Sequence, residues 1–203
     1  MRFCRMKTYG AVFAVVLGLA AAAAGCAKNT DDLSGTTSGA TTEELTLGDA
    51  SVEEADAVPL AGEPGVQEGV TMPKVSLDRG KIDEIVRLVN EERTKNGLDV
   101  LVLDEDMTIA ASVRAQEQKS LFSHTRPDGR DAFSIFDDLQ IARTYRGENL
   151  AYGGSSAGPG AIMNLWMGSE GHRENILQGR FTQIGVGYYE SGGYGYWCQL
   201  FSN

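Results

Sequence analysis

The chain has 203 residues, 42% of them hydrophobic and 8% aromatic, with a formal net charge of −10, proportions that suit one modest globular domain with tails. No basic patch or arginine-rich run relieves that charge, which argues against nucleic acid as a partner. Only three cysteines are present, too few and too scattered for a disulfide-stapled scaffold.

The N-terminal segment reads as an export signal. Arg2, Arg5 and Lys7 make a basic start, Ala11 to Ala24 are nearly all apolar, and small residues follow up to Gly25-Cys26. The apolar run is too short for a membrane span, so residues 1–25 are predicted to be a signal peptide. The ending Ala-Ala-Gly-Cys26 resembles a bacterial lipoprotein box, with Ala23 where leucine is usual. That resemblance implies a diacylglyceryl group on the Cys26 thiol, with two acyl chains giving stable anchoring where one would be marginal. The expected localisation is exported, lipid-anchored to the bacterial cell membrane and facing outside the cytoplasm. Cys4 leaves with the signal, so Cys198 alone remains, in an aromatic run that reads it as a small buried hydrophobe.

Residues 26–77 are predicted to be a disordered acidic tether. From Ala27 to Gly80 eleven acidic residues face three basic ones, with few large apolar side chains. Such a composition buries too little apolar surface to offset chain entropy.

Residues 78–203 form the predicted domain. Asp78 reads as a helix cap and Leu77 as its staple partner for Ile82; Ile82, Ile85, Val86 and Val89 supply an apolar face, and Asn96-Gly97 a stop. The run 100–103 is β-leaning or a connector. Asp104 caps a second helix whose Met107, Ala110, Ala111 and Ala115 form a small-residue stripe suited to close approach. A turn at Arg126-Pro-Asp-Gly129 follows, then a short helix over Ala132–Leu139. The glycine-rich loop 153–160 precedes a helix carrying Ile162, Leu165 and Trp166. Residues 182–189 and 194–201 alternate about a Glu-Ser-Gly-Gly step, a β-hairpin signature. Helices first and antiparallel strands last predict an α+β domain.

Two histidines occur in the whole chain, and both sit in polar breaks. His124 lies just before the Arg126–Gly129 turn. His172 lies in Trp166-Met-Gly-Ser-Glu-Gly-His-Arg-Glu-Asn-Ile-Leu177, where Gly168, Ser169 and Gly171 interrupt the apolar repeat of a buried helix. Between them Gly147-Glu-Asn-Leu-Ala151 supplies Glu148. Two imidazoles and a carboxylate are the parts of a divalent-metal or proton-transfer site. The same residues also suit two surface or capping histidines and a helix-terminal glutamate. Asn149 and Asn175 read as backbone-bonding residues, Gly147, Gly185 and Gly187 as permission for close approach, and Arg173 as a partner of Glu174 or Glu148 or as a solvated side chain.

These motifs in this order, with Gly-Val-Gly187 at the end, resemble the CAP superfamily of cysteine-rich secretory proteins, antigen-five allergens and plant pathogenesis-related proteins, in its bacterial SCP-domain branch. The resemblance implies an α-β-α sandwich, helices packed on a small, mainly antiparallel sheet, with two histidines and two acids in a central groove. His124 matches the first histidine, Glu148 the acid of the Gly-Glu-Asn motif and His172 the second histidine. Eukaryotic members carry a glutamate where this chain has Ser169, with Glu170 one step later, so the groove residues Ser169 and Glu170 leave it one carboxylate short. The family association with zinc implies weak binding of zinc or another divalent cation by His124 and His172, with Glu148 orienting a water or acting as third ligand.

Two functional classes follow. The first is a cell-envelope, surface-anchored binding module whose groove takes a metal together with a small, peptide, lipid or cell-wall ligand. The alternative is a hydrolase. In its serine form Ser169 is the nucleophile, His172 the base and Glu148 the orienting acid; in its zinc form Glu148 activates water.

Overall fold

The computed structural model describes residues 44–54 and 73–203. Helix α1, Arg79–Lys95, starts where Asp78 Oδ1 accepts the Lys81 amide at 3.1 Å. It buries Ile82, Ile85 and Val89 along one stripe, and the chain leaves it through Gly97 at φ +73°, a left-handed exit that favours glycine. Helix α2, Glu105–Glu117, is capped by Asp104, which accepts the Met107 amide at 2.9 Å. A short α3, Ser134–Asp138, follows the Arg126–Gly129 turn, in which the Gly129 amide donates to the Arg126 carbonyl at 2.8 Å. Helices α4, Pro159–Gly168, and α5, Glu170–Ile176, meet at Ser169.

A mixed sheet joins these helices. Its strands are β1 Leu45–Leu47, β2 Ser51–Glu54, β3 Val102–Leu103, β4 Tyr145–Gly154, β5 Gln183–Ser191 and β6 Tyr194–Ser202. Across the sheet the order is β1, β4, β6, β5, β3, with β2 also on β4. All pairings are antiparallel except β3 with β5. Strands β5 and β6 join through Gly192 and Gly193 at φ +62° and +83°, the two positive angles a tight hairpin needs.

The period-2 alternation of the strands divides the core between the two faces of the sheet. On one face Ala151, Ile184, Val186, Trp197 and Phe201 pack with the buried stripe of α1 and with Ile162 and Trp166 of α4. On the other, Leu150, Cys198 and Leu200 pack with α2 and α3. Burying each large apolar side chain contributes roughly 1.5–3 kcal/mol. The expected α-β-α sandwich is therefore present. The alanine stripe also does what its composition predicts: α2 rests on β5 at Gly185 and Gly187, where an added Cβ would overlap the backbone of Met107 and Ala111.

Two differences from the sequence reading stand out. Tyr145–Gly154 is the ten-residue strand that adjoins both β6 and the N-terminal strands, so a long strand sits in the middle of the chain rather than only at its end. Residues 44–54, read as part of the tether, instead contribute β1 and β2. Main-chain pairing to β4 supplies what their composition lacks, because an exposed strand edge accepts almost any extended backbone. The signal peptide at 1–25, the lipidation site Cys26, and tether residues 27–43 and 55–72 lie outside the described residues.

Candidate functional site

Helix α2 delivers the first part of the site. Arg114 lies on the same stripe as Met107, Ala110 and Ala111, and its side chain is fully buried. Its Nε donates to Glu148 Oε1 at 2.8 Å, its Nη1 to Glu117 at 2.6 Å and its Nη2 to the Ser123 carbonyl at 2.8 Å. Gln118 holds Ser123 from the other side, its Oε1 accepting the Ser123 amide at 3.0 Å. Arg126 ties the next turn to Glu117 at 2.8 Å and to Asp138 at 2.7 Å. The chain on either side of His124 is thus clamped, and the imidazole Nδ1 meets Glu148 Oε2.

Glu148 itself is fully buried on β4. Burial opposes its ionisation most strongly, yet the hydrogen bond from His124 and the charge of Arg114 outweigh that cost and hold its carboxyl below the ordinary carboxylate value. The Cys198 thiol, 3.8 Å from Glu148 Oε1, is pushed well up by burial and then by that carboxylate. It is a buried, protonated neighbour, as the aromatic run predicts.

The second histidine comes from α5. His172 is buried, with Nδ1 2.8 Å from Ser169 Oγ. Ser169 occupies the helix N-cap, but its hydroxyl goes to the imidazole and makes no capping bond, so it orients the ring and does not cap the helix. Burial, then repulsion from His124, lowers the pKa of His172, against weaker opposing pulls from the Gly48 backbone and Asp49. The ring is therefore held neutral, and its Nε2 is a buried nitrogen that has no hydrogen-bond partner in good geometry among the described residues.

Amides lock α5 to β4, and the two asparagines bond mainly to backbone, as expected. Asn149 Nδ2 donates to the His172 carbonyl at 3.1 Å and to Gln199 Oε1 at 3.0 Å. Asn175 Nδ2 reaches Asn149 Oδ1 at 2.9 Å, the Glu148 carbonyl at 3.3 Å and the Ser51 carbonyl at 3.1 Å. Arg93 supports the far end of α5, donating to the carbonyls of Ile176 and Gln178 at 2.9 Å and of Phe181 at 3.2 Å. Arg173 bonds the Met167 carbonyl at 2.9 Å, and Glu170 stands exposed in the first turn of α5.

The fold therefore brings His124, Glu148, His172 and Ser169 together and leaves Glu170 at the rim. It gives Glu148 to His124 and Arg114, not to His172, so the Ser169–His172 pair stands without the orienting carboxylate of a serine relay. The carboxylate on Nδ1 fixes the His124 ring with Nε2 turned away from it and against the Asp49 carbonyl, so that nitrogen could face a cation only where the Asp49 carbonyl gives way. Among the described residues no group of three or more His, Cys, Asp or Glu side chains is placed to hold a metal ion. Two imidazole nitrogens fit a weakly held cation rather than a tight zinc centre. Arg114 and Arg93 escaped the sequence reading, although each sits on the apolar stripe of its helix, four residues after Ala110 and Val89 respectively. An arginine on a core-facing stripe is the signal that finds them.

The sequence model of the Cysteine-rich secretory protein family (CAP) matches residues 86–201. The Bacillus subtilis (strain 168) protein YkwD is 40% identical over 120 residues, 58% of this chain and 45% of that protein. The crystal structure of an extracellular protein containing a SCP domain from Bacillus anthracis str. Ames matches 61% of this chain and 40% of its own, at 28% identity and a TM-score of 0.56. An outer surface protein from Borrelia burgdorferi shares the fold at 18% identity and a TM-score of 0.56, over 65% of this chain and 98% of its own. The chain spans less than half the length of its two Bacillus relatives.

Proposed function

The chain belongs to the cysteine-rich secretory protein (CAP) family, and from that premise we propose that it is an exported binding module whose ligand groove is centred on His124 and His172. The carrying observation is the buried Nε2 of the neutral His172, which has no hydrogen-bond partner in good geometry among the described residues, beside a His124 ring oriented by Glu148. A buried polar atom without a partner is costly unless a ligand completes it. A divalent cation such as zinc, held weakly by His172 Nε2, by water and by His124 Nε2 once the Asp49 carbonyl has left it, is the simplest completion. It would supply a Lewis-acidic contact for a donor atom of a second ligand, whether small molecule, peptide, lipid or cell-wall fragment. Glu148 serves behind His124, and Arg114 keeps that carboxylate ionised.

The extracellular relative from Bacillus anthracis supports export. A signal peptide over residues 1–25 and a lipid anchor at Cys26 would hold the module on the outer side of the cell membrane.

Isothermal titration of zinc into the full chain tests this reading. Saturable binding is expected, weak enough to be removed by a chelator, and reduced at least tenfold in both His124→Ala and His172→Ala. Zinc heats that are absent, or that persist unchanged in both variants, would remove the metal and the shared site with it.

A further inference from the structure

Residues 45–54 run along β4 beside the two histidines. They lie outside the stretch matched by the family and pair antiparallel with β4, Leu47 opposite Ala151 and Ser51 opposite Glu148. Between those two pairs Gly48, Asp49 and Ala50 face only Leu150 and Asn149. One extra residue makes a bulge, and it falls on the histidines. The Asp49 carbonyl meets His124 Nε2, the Gly48 backbone faces His172, and the Ser51 carbonyl accepts from Asn175 Nδ2 at 3.1 Å. The groove residues thus read main-chain oxygens of an extended segment.

Side-chain seats add a sequence preference. Leu45 fills the space that a Cβ on Gly153 would occupy. Leu47 packs against the core. A Cβ on Gly48 would come 3.2 Å from Leu150 Cβ and 3.4 Å from the Phe122 ring, and Ala50 Cβ lies 3.2 Å from where a Cβ on Gly171 would be. In contrast, Asp49, Val52 and Glu53 are exposed. The seats therefore select Leu-x-Leu-Gly-x-Ala and tolerate anything between, the alternation by which an extended peptide is recognised on a sheet edge.

We propose that this trough along β4, over His124 and His172, is a binding site for an extended peptide segment of the Leu-x-Leu-Gly-x-Ala type in another protein chain, with residues 45–54 as its tethered competitor. The inference rests on the groove being a ligand site and names the class of ligand. Residues 45–54 belong to the same chain as the trough, so an incoming peptide must outcompete them.

The test uses the full chain and a labelled peptide with the sequence of residues 44–54, followed by fluorescence anisotropy. Gly48→Val unseats the internal segment against Leu150 and Phe122 without altering His124, His172 or β4. The peptide is expected to bind Gly48→Val at least tenfold more tightly than the parent. Binding should be lost when Gly153→Val fills the Leu45 seat in the same chain, and when the peptide itself carries valine at its glycine. Hydrogen exchange of the β4 amides facing residues 45–54 reports whether the edge has opened in Gly48→Val. An opened edge that takes no peptide overturns the proposal, as does an edge that stays protected, since the segment is then a fixed strand. Sedimentation of the parent is expected to give a monomer; a dimer abolished by Gly153→Val would assign the groove to a second copy and overturn the choice of occupant. If zinc binds through both histidines while the peptide fails, only this inference falls; if both fail, the binding reading falls too.

Discussion

Arg114 and Glu148 form an ion pair with both side chains wholly buried, and such pairs are expensive to break by halves. Replacing Arg114 by methionine leaves the Glu148 carboxylate buried without its countercharge, a loss of about 3–5 kcal/mol for an uncompensated buried ion. Urea unfolding of Arg114→Met should show that loss, and adding Glu148→Gln should recover part of it, because the stranded charge is then gone. Strict additivity of the two substitutions would mean that the pair is not coupled. His172 gives a pH signature of opposite origin. Its pKa is lowered in the folded state from an ordinary 6.5, so the unfolded chain binds more protons once the pH drops below that value. The stability contributed by its neutral ring is complete above about pH 6.5 and is lost as the pH falls below it. In chelator, the melting temperature of the parent should decline between pH 7.5 and 5.5, and His172→Gln should flatten the decline; parallel curves would sink this assignment.

At the scale of elements, the α2–β5 contact is the least forgiving. Because the helix backbone lies directly on Gly185 and Gly187, no side chain is available to yield when a methyl is inserted. Gly187→Ala should cost about 3 kcal/mol or more in denaturant unfolding, at the upper end of overpacking penalties. Gly160→Ala, in the first turn of α4 with nothing within 4 Å, should cost nothing and can stabilise by up to about 1 kcal/mol. An equal effect of the two would remove the close-packing account. The alanine stripe, both helix caps and the terminal hairpin were legible in the sequence because each is a local pattern with a local cause. Strand β4 was not, since Gly147, Gly153 and Gly154 interrupt its apolar residues and glycine is a poor strand former. Its strand character comes from β6 on one side and residues 45–54 on the other.

For the whole molecule, the sandwich and the grouping of His124, Glu148 and His172 followed from the resemblance of three separated motifs. What motif reading misses is the supporting layer. Arg114, Gln118 and Arg93 act on the site through Ser123, Glu148 and the carbonyls around Phe181, contacts 5 to 88 residues apart in the chain. Composition misled most at residues 44–54. Averaged over residues 26–77 the segment is polar and acidic, but Leu45 and Leu47 need only two seats, and the backbone does the rest.

The Leu150 carbonyl is where that segment touches the core: it accepts the Gly48 amide and the Trp166 indole N–H, each at 3.2 Å. Departure of residues 45–54 would leave the indole as the remaining donor to that oxygen and bring water to the edge beside it, a change of surroundings to which tryptophan emission is sensitive. The protein therefore carries a native optical reporter of whether its groove is filled from within.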